Sequence, residues 1–156
     1  MNDYFLNIDG IPGESQDSRH KDWIELASFS WGLTHPGAGT GSGHSEGRAQ
    51  FEGFRFVMAV NKASPRLFLA CASGTQIKEA SLSVVRPGSA PLEYLKMKLS
   101  EVLVTSFAEA AGEEEPQDTV GFNFDRIEMD YTPQQATGTT GTLVKSGWDL
   151  SRNAKF

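Results

Sequence analysis

One cysteine, Cys71, stands in a chain of 156 residues, so no disulfide can close within it and a reducing compartment suits its folding. Basic residues are also short: 14 Lys and Arg face 20 Asp and Glu, a formal net charge of −6. That deficit argues against sequence-independent nucleic-acid binding, which draws its affinity from a basic surface that displaces counterions. It argues equally against an anionic membrane surface as partner. No apolar run approaches the roughly 20 residues a spanning helix needs, so no membrane insertion is expected. Met1–Gly10 has neither a basic leader nor a long apolar stretch and does not read as a secretory signal. Any export is expected to follow a route that reads no N-terminal signal.

Motifs for chemistry are missing too. The stretch His35–Arg48, HPGAGTGSGHSEGR, is the natural place to look. Its run through Gly39, Gly41 and Gly43 puts His44 where a dinucleotide fingerprint needs its third glycine, and the chain has no Gly-Lys pair for a P-loop. The stretch leads into a strand pattern, so no helix N-terminus is placed to receive a phosphate. His35, His44 and Glu46 could ligate a metal in principle, but a run of glycines cannot hold three ligands rigidly. His20 is the remaining histidine. Gly43–Gly47 (GHSEG) spells G-x-S-x-G, but it leads into a strand pattern and not into the helix that a nucleophile elbow needs. A Ser-His-Asp set assembled from distant segments stays open at this level. Glu113, Glu114 and Glu115 belong to an acidic stretch, Ala108–Asp118, that reads as a solvated loop. The expectation is a protein without enzymatic activity or cofactor, whose glycine-rich stretch is a flexible surface element that touches a neighbour.

What the sequence does hold is period-two alternation. Tyr4–Ile8, Trp23–Leu33, Phe51–Val60, Gln76–Arg86, Leu92–Phe107, Val120–Tyr131 and Thr142–Leu150 read as strands. In the second, Trp23, Glu25, Ala27, Phe29 and Trp31 form one face, which the large rings should turn to the core. Ile24, Leu26, Ser28 and Ser30 form the other. In the fifth, Leu95, Met97, Leu99, Leu103 and Phe107 share a face, while Val102 and Val104 make the opposite face apolar near its end. This suggests a patch covered by a partner chain. In Val120–Tyr131 the apolar parity changes, and a β-bulge near Asp125–Arg126 would restore a common face. One helix is expected after Ser64 as N-cap, with Pro65 in its first turn and Gly74 closing it. Leu67, Phe68 and Cys71 share its inner face, so Cys71 reads as a small buried hydrophobe. About seven strands and one short helix give a small β-barrel or sandwich with the helix plugging one side.

Six segments carry a resemblance: DYFLNIDGIPGES (Asp3–Ser15), HKDWIELASFSWG (His20–Gly32), SPRLFLACASG (Ser64–Gly74), YLKMKLSEVLVTSF (Tyr94–Phe107), FNFDRIEMDYTPQ (Phe122–Gln134) and GWDLSRN (Gly147–Asn153). In this order they resemble the haemolysin-coregulated protein (Hcp) family, the tube protein of the bacterial type VI secretion system. The glycine-rich stretch and Ala108–Asp118 match less well.

The resemblance implies a mainly β fold over residues 1–156 as a single domain. That fold is a two-sheet β-barrel with one short flanking helix, assembling into a homohexameric ring. Rings would stack into a tube that is expelled into a target cell, and the lumen would hold small effectors. Other partners would be the tip and sheath proteins. The protein would be cytoplasmic before firing and then secreted without a signal peptide. No C-terminal toxin is expected, since the chain ends soon after its last strand.

Ser30 in the FSWG motif is similar to the family's lumen-facing serine, which places Ser28 and Ser30 on the lumen. Ring stacking or subunit contact would fall to His35, Gly39, Gly41, Gly43, His44 and Arg48, to Val102 and Val104, and to Glu113, Glu114 and Glu115. The residues alone leave another reading open, a monomeric β-barrel that binds a small ligand.

Overall fold

The computed structural model describes residues 1–37, 47–134 and 140–156. Ten strands and one helix follow in order: β1 (Asp3–Ile8), β2 (Ile24–Leu26), β3 (Ser28–Thr34), β4 (Gln50–Ala59), α1 (Ser64–Ser73), β5 (Gln76–Arg86), β6 (Leu92–Ala110), β7 (Gln117–Asn123), β8 (Arg126–Tyr131), β9 (Val144–Asp149) and β10 (Ala154–Lys155). All pairings are antiparallel. One path runs β10-β9-β8-β6-β5-β1-β2, and a branch runs β3-β4-β7-β6. The 19-residue β6 belongs to both, its first half lying between β8 and β5 and its second half against β7. The two parts of this sheet face each other across a shared core led by Phe54, Phe56, Phe122, Leu6, Leu67 and Met97. The result is the two-sheet, barrel-like, mainly β architecture with a flanking helix that the resemblance implied.

The sheet folds along a line that crosses three strands. In β6, Met97 and Leu99 point inward before Glu101, and Val102 and Val104 point inward after it. Glu101 has φ 54°, a left-handed value uncommon for a side chain of its size, and it turns the strand's inward parity over. Ser100 pairs with Arg126 and Leu103 with Asn123, so β7 and β8 run end to end along β6 without a change of register. They part at Phe124–Asp125, opposite Glu101, and their apolar parity changes there too. In β5 the same switch separates Ile77 from Ala80, on either side of Lys78, which faces Glu101.

This overturns two expectations. The phase change at Asp125–Arg126 is not a bulge: it is the corner of the fold, where neighbouring strands reverse together. Val102 and Val104, 0% and 3% exposed, fill the protomer's own core and offer nothing to a partner. Leu103, expected inside, is 39% exposed. A register shift between Val104 and Ser106 then flips β6 back, so Phe107 packs on the core as expected.

The stretch Trp23–Leu33 also breaks, at Ala27. Ile24 and Leu26 are buried in β2, whereas Phe29 and Trp31 in β3 pack half-buried on the core. The single aromatic face therefore covers only the second half. At the break the Ala27 N–H donates to the Val57 carbonyl at 2.8 Å, which ties the corner to β4. Past β9 a short strand, β10, pairs back on it through Ala154 and Lys155, which alternation did not predict.

Helix α1 starts one residue earlier than the capping pattern suggests. Ala63 holds the N-cap position with no side-chain bond, and Ser64 lies just inside. Ser64 instead accepts the Asn61 N–H at 3.0 Å and donates its hydroxyl to the fully buried Asp118 at 2.5 Å. Asp118 thus belongs to the helix anchor and not to a solvated acidic loop. Pro65 and Gly74 act as expected, Gly74 closing the helix at φ 67°. Leu67 and Ala70 face the core and Cys71 is half-buried against it, but Phe68 points out, 59% exposed.

Alternation along β4 sets a sharp contrast between neighbours. Phe54→Ala empties a fully buried site and should cost about 3–5 kcal/mol of unfolding free energy, while Arg55→Gln, on the exposed side, should stay within about 0.5 kcal/mol. Urea unfolding followed by near-ultraviolet circular dichroism separates the two, and equal losses would contradict the assigned faces.

Candidate functional site: a hydroxyl-rich sheet face

The outward face of β3, β4, β7 and the second half of β6 is built by the same alternation that buries Phe54, Phe56, Met58, Val120 and Phe122 on the inward side. Cross-strand partners share a face, so the register reads off its composition row by row. One row holds Ser30, Arg55, Gly121 and Ser106; the next holds Ser28, Val57, Thr119 and Ala108. Hydroxyls and small residues dominate, and Ser28, Ser30, Arg55 and Ser106 are exposed. Gly121 leaves room for the Ser106 hydroxyl beside it: a Cβ there would lie 2.5 Å from Ser106 Oγ, which would have to turn away. The face is therefore smooth, hydrated and poor in large apolar groups.

A second polar cluster lies on the far side of the molecule, where the β1–β2 connection crosses β1 and β5. His20 is 3% exposed; its Nδ1 lies 2.7 Å from Asp17 Oδ2, and its Nε2 lies 3.0 Å from both Ser83 Oγ and Glu93 Oε2. Its ring stacks on Phe5 at 4.4 Å and meets Trp23 edge-on. Asp17, His20 and Ser83 match a nucleophile–base–orienter set by proximity, but Ser83 is fully buried and donates its hydroxyl to Glu93. A nucleophile with no approach for a substrate does no acyl transfer. The arrangement pins the connection across the sheet.

The chain was compared with known proteins on this footing. The family model described as "Type VI secretion system effector, Hcp" matches residues 5–131. The chain is 34% identical to Protein hcp1 of Pseudomonas aeruginosa, with 98% of each covered. Its fold matches the crystal structure of Hcp1 from Salmonella typhimurium with a TM-score of 0.85 at 30% identity over 99% of each chain. It matches a solved type six secretion system protein with a TM-score of 0.91 at 27% identity over the whole of both.

The chain belongs to the Hcp family.

It is thus a protein of type VI secretion, a subunit of that system's tube. Of the positions singled out in this Hcp sequence, Ser28 and Ser30 lie on the hydroxyl-rich face. His35 and Arg48 are exposed at the ends of β3 and β4, and Glu113, Glu114 and Glu115 are exposed in the turn between β6 and β7. Gly39, Gly41, Gly43 and His44 lie outside the described residues, as does Glu46. Thr34 pairs with Gln50, whereas Ala59 pairs with Gln117 and Gln117 with Ala110. The end carrying His35 and Arg48 is therefore opposite the end carrying the three glutamates. Among the described residues, no helix is long and apolar enough to cross a membrane.

Sequence reading missed Arg55, Thr119 and Ser106 as members of the face. The signal was there in FRFVMA, where Arg55 and Val57 alternate with Phe54, Phe56 and Met58. The His20 cluster gave no such signal, because its members are 63 and 73 residues apart and meet only through the sheet.

Electrostatics ties the cluster to pH. Burial pushes the Glu93 carboxyl up, but bonds from Ser83 and His20, with the Lys96 charge, outweigh it and hold Glu93 below its ordinary 4.5. The bond to His20 likewise holds Asp17 below its ordinary 3.8. A carboxyl whose folded pKa is depressed stabilises the fold fully above its ordinary pKa and loses that contribution as pH falls through the folded value. Stability should therefore fall as pH drops below 4.5, and Glu93→Gln should lower it at neutral pH and flatten that acid slope. Urea midpoints across a pH series check this; an unchanged acid slope in Glu93→Gln would remove Glu93 from the linkage.

Proposed function

We propose that residues 1–156 act as one domain, that six copies close side by side into a ring, and that rings stack into the type VI tube with the hydroxyl-rich face lining its lumen. The make-up of that face is the observation that carries this reading. A sheet face exposed over four strands, yet made of Ser28, Ser30, Thr119, Ser106, Ala108 and Gly121, suits a channel that stays hydrated and holds small effectors without gripping them. The role is structural, with no catalysis. The partners are further copies, the tip and sheath proteins, and small effectors. The subunit waits in the cytoplasm and leaves without a signal peptide when the tube is expelled.

Open edges supply the means of closure. Among the described residues β3 pairs only with β4, and β10 covers β9 only at Trp148 and Asp149. Unpaired edges invite a neighbour, and head-to-tail contacts that close give a ring. Apolar material for the lateral contact comes from Phe68 and Leu69 on the outside of α1, 59% and 62% exposed, in place of the buried Val102 and Val104. Stacking draws on the opposite ends of the lumen sheet. His35 and Arg48 at one end would meet Glu113, Glu114 and Glu115 of the next ring, a contact that weakens with salt.

One observation favours a second reading, a ligand-binding monomer. A cleft of about 570 Å³ opens between β3 and β9, lined by Trp31, Leu33, Phe51, Met129 and Trp148. Light scattering coupled to size exclusion decides between them: six chains per particle supports the ring, and one chain at all concentrations overturns it. Ser30→Arg should leave hexamers intact and change which effectors co-purify; an unaltered set would remove this face from cargo binding. Deleting residues 37–43 should spare hexamers and abolish tubes in negative-stain images, and loss of the hexamers would move that stretch to the lateral interface.

A further inference from the structure

The lumen face carries little charge, and the charge it carries is placed. Across the outward positions of β3, β4 and β7 the charged residues are Arg55 and Glu52, and Glu101 at the corner of β6 lines the same cleft as Glu52. Glu109 is exposed at the sheet's far end but shares the inward parity of Asp118, its cross-strand partner. Arg55 has no ion pair or side-chain hydrogen bond among the described residues, in a protein where Lys96, Lys98, Arg126 and Lys145 all meet carboxylates. Its cross-strand partners are Ser30 on β3 and Gly121 on β7. Gly121 has no side chain to cover the guanidinium, and Ser30 sets a hydroxyl beside it.

We propose that Ser30 and Arg55 together form a carboxylate-recognising pair, through which the lumen selects cargo by acidic side chains. The chemistry follows from the donors. A guanidinium offers a planar fork that matches a carboxylate's two oxygens, and a neighbouring hydroxyl can donate to a lone pair the fork leaves free. Neither group has a competing side-chain partner among the described residues, so none of those contacts has to be broken when the ligand arrives. On the proposed ring, on which this inference rests, the pair recurs six times at one level of the channel. Six weak sites facing one another act as one multivalent collar for a cargo with several exposed acids. Glu52, toward the His35 end and cross-strand to Gly32, adds a second collar of opposite sign and opposes the first. The occupant is an acidic protein surface and not a nucleic acid, because the subunit's net charge of −6 repels a continuous polyanion, whereas a few carboxylates at the right height meet the collar.

The test uses the purified full chain, sized by light scattering in the same buffer, and a fluorescein-labelled peptide carrying three glutamates spaced by Gly-Ser linkers, followed by anisotropy at about 0.15 M salt and again at lower salt. Binding to hexamers is expected to weaken with salt. Arg55→Gln should weaken it by about tenfold or more, Ser30→Ala by a smaller factor, and Glu52→Gln should strengthen it. Lys96→Gln, a charge change outside the lumen face, should leave it unchanged. Hexamers that bind the peptide equally well with Arg55→Gln, or do not bind it at all, overturn the proposal and leave the ring standing. A chain that runs as a monomer overturns the ring itself and this inference with it.

Discussion

Everything in this molecule turns on the line Lys78–Glu101–Asp125, where three adjacent strands reverse their inward parity together. A flat sheet with this sequence would show half its apolar residues to water whichever way it faced, because the pattern changes phase partway along β5, along β6 and between β7 and β8. Bending the sheet at that line resolves the conflict. The first halves turn Leu82, Met97, Leu99 and Ile127 toward a core that the second halves close with Val102, Val104, Phe122 and Phe54. A left-handed Glu101 is the local cost, of order 1 kcal/mol, and a continuous hydrophobic interior is the return. The corner at Ala27 makes the matching bend on the other side.

Two pieces of polar engineering hold what the bend creates. Asp118, buried behind α1, takes the Ser64 hydroxyl and ties the first turn of the helix to β7. Its other oxygen has no hydrogen-bond partner among the described residues, and the neighbouring Asp118 carboxyl pushes the Glu109 carboxyl above its ordinary range. The His20 cluster does the same for the opposite face of the sheet, pinning a connection that would otherwise leave Phe5, Ser83 and Val85 under open solvent. With these surfaces covered, the outward face of β3, β4, β7 and β6 is left as the broad, bare one. Membership of the Hcp family gives that bareness its meaning.

Strand positions were legible in the sequence because alternation is a local signal: the limits of β5 coincide with those read from its residues, whereas Trp23–Leu33 and Val120–Tyr131, each read as one strand, are two, and β10 was not read as a strand. Gly74 and Pro65 were legible for the same reason, each answering to backbone geometry within one turn. What alternation cannot report is which face of a strand wins when the phase changes. Val102 and Val104 looked like a surplus apolar face because a strand was assumed to keep its parity over its whole length. The phase change near Asp125 was placed correctly but given a local cause, since nothing within β8 shows that β6 turns at the same level. Ser28 and Ser30 were read as one face from their spacing, and they are. Their neighbours across the strands, Arg55, Thr119 and Ser106, were out of reach until the register was known.

The placement of His35 and Arg48 at one pole of the hydroxyl-rich sheet and of Glu113, Glu114 and Glu115 at the other gives the subunit a top and a bottom that differ in kind. A column assembled pole to pole has an arrow. Its two tips can never be alike, so whatever seeds it and whatever caps it must each recognise a different chemistry, and elongation that begins from one of them has only one way to run.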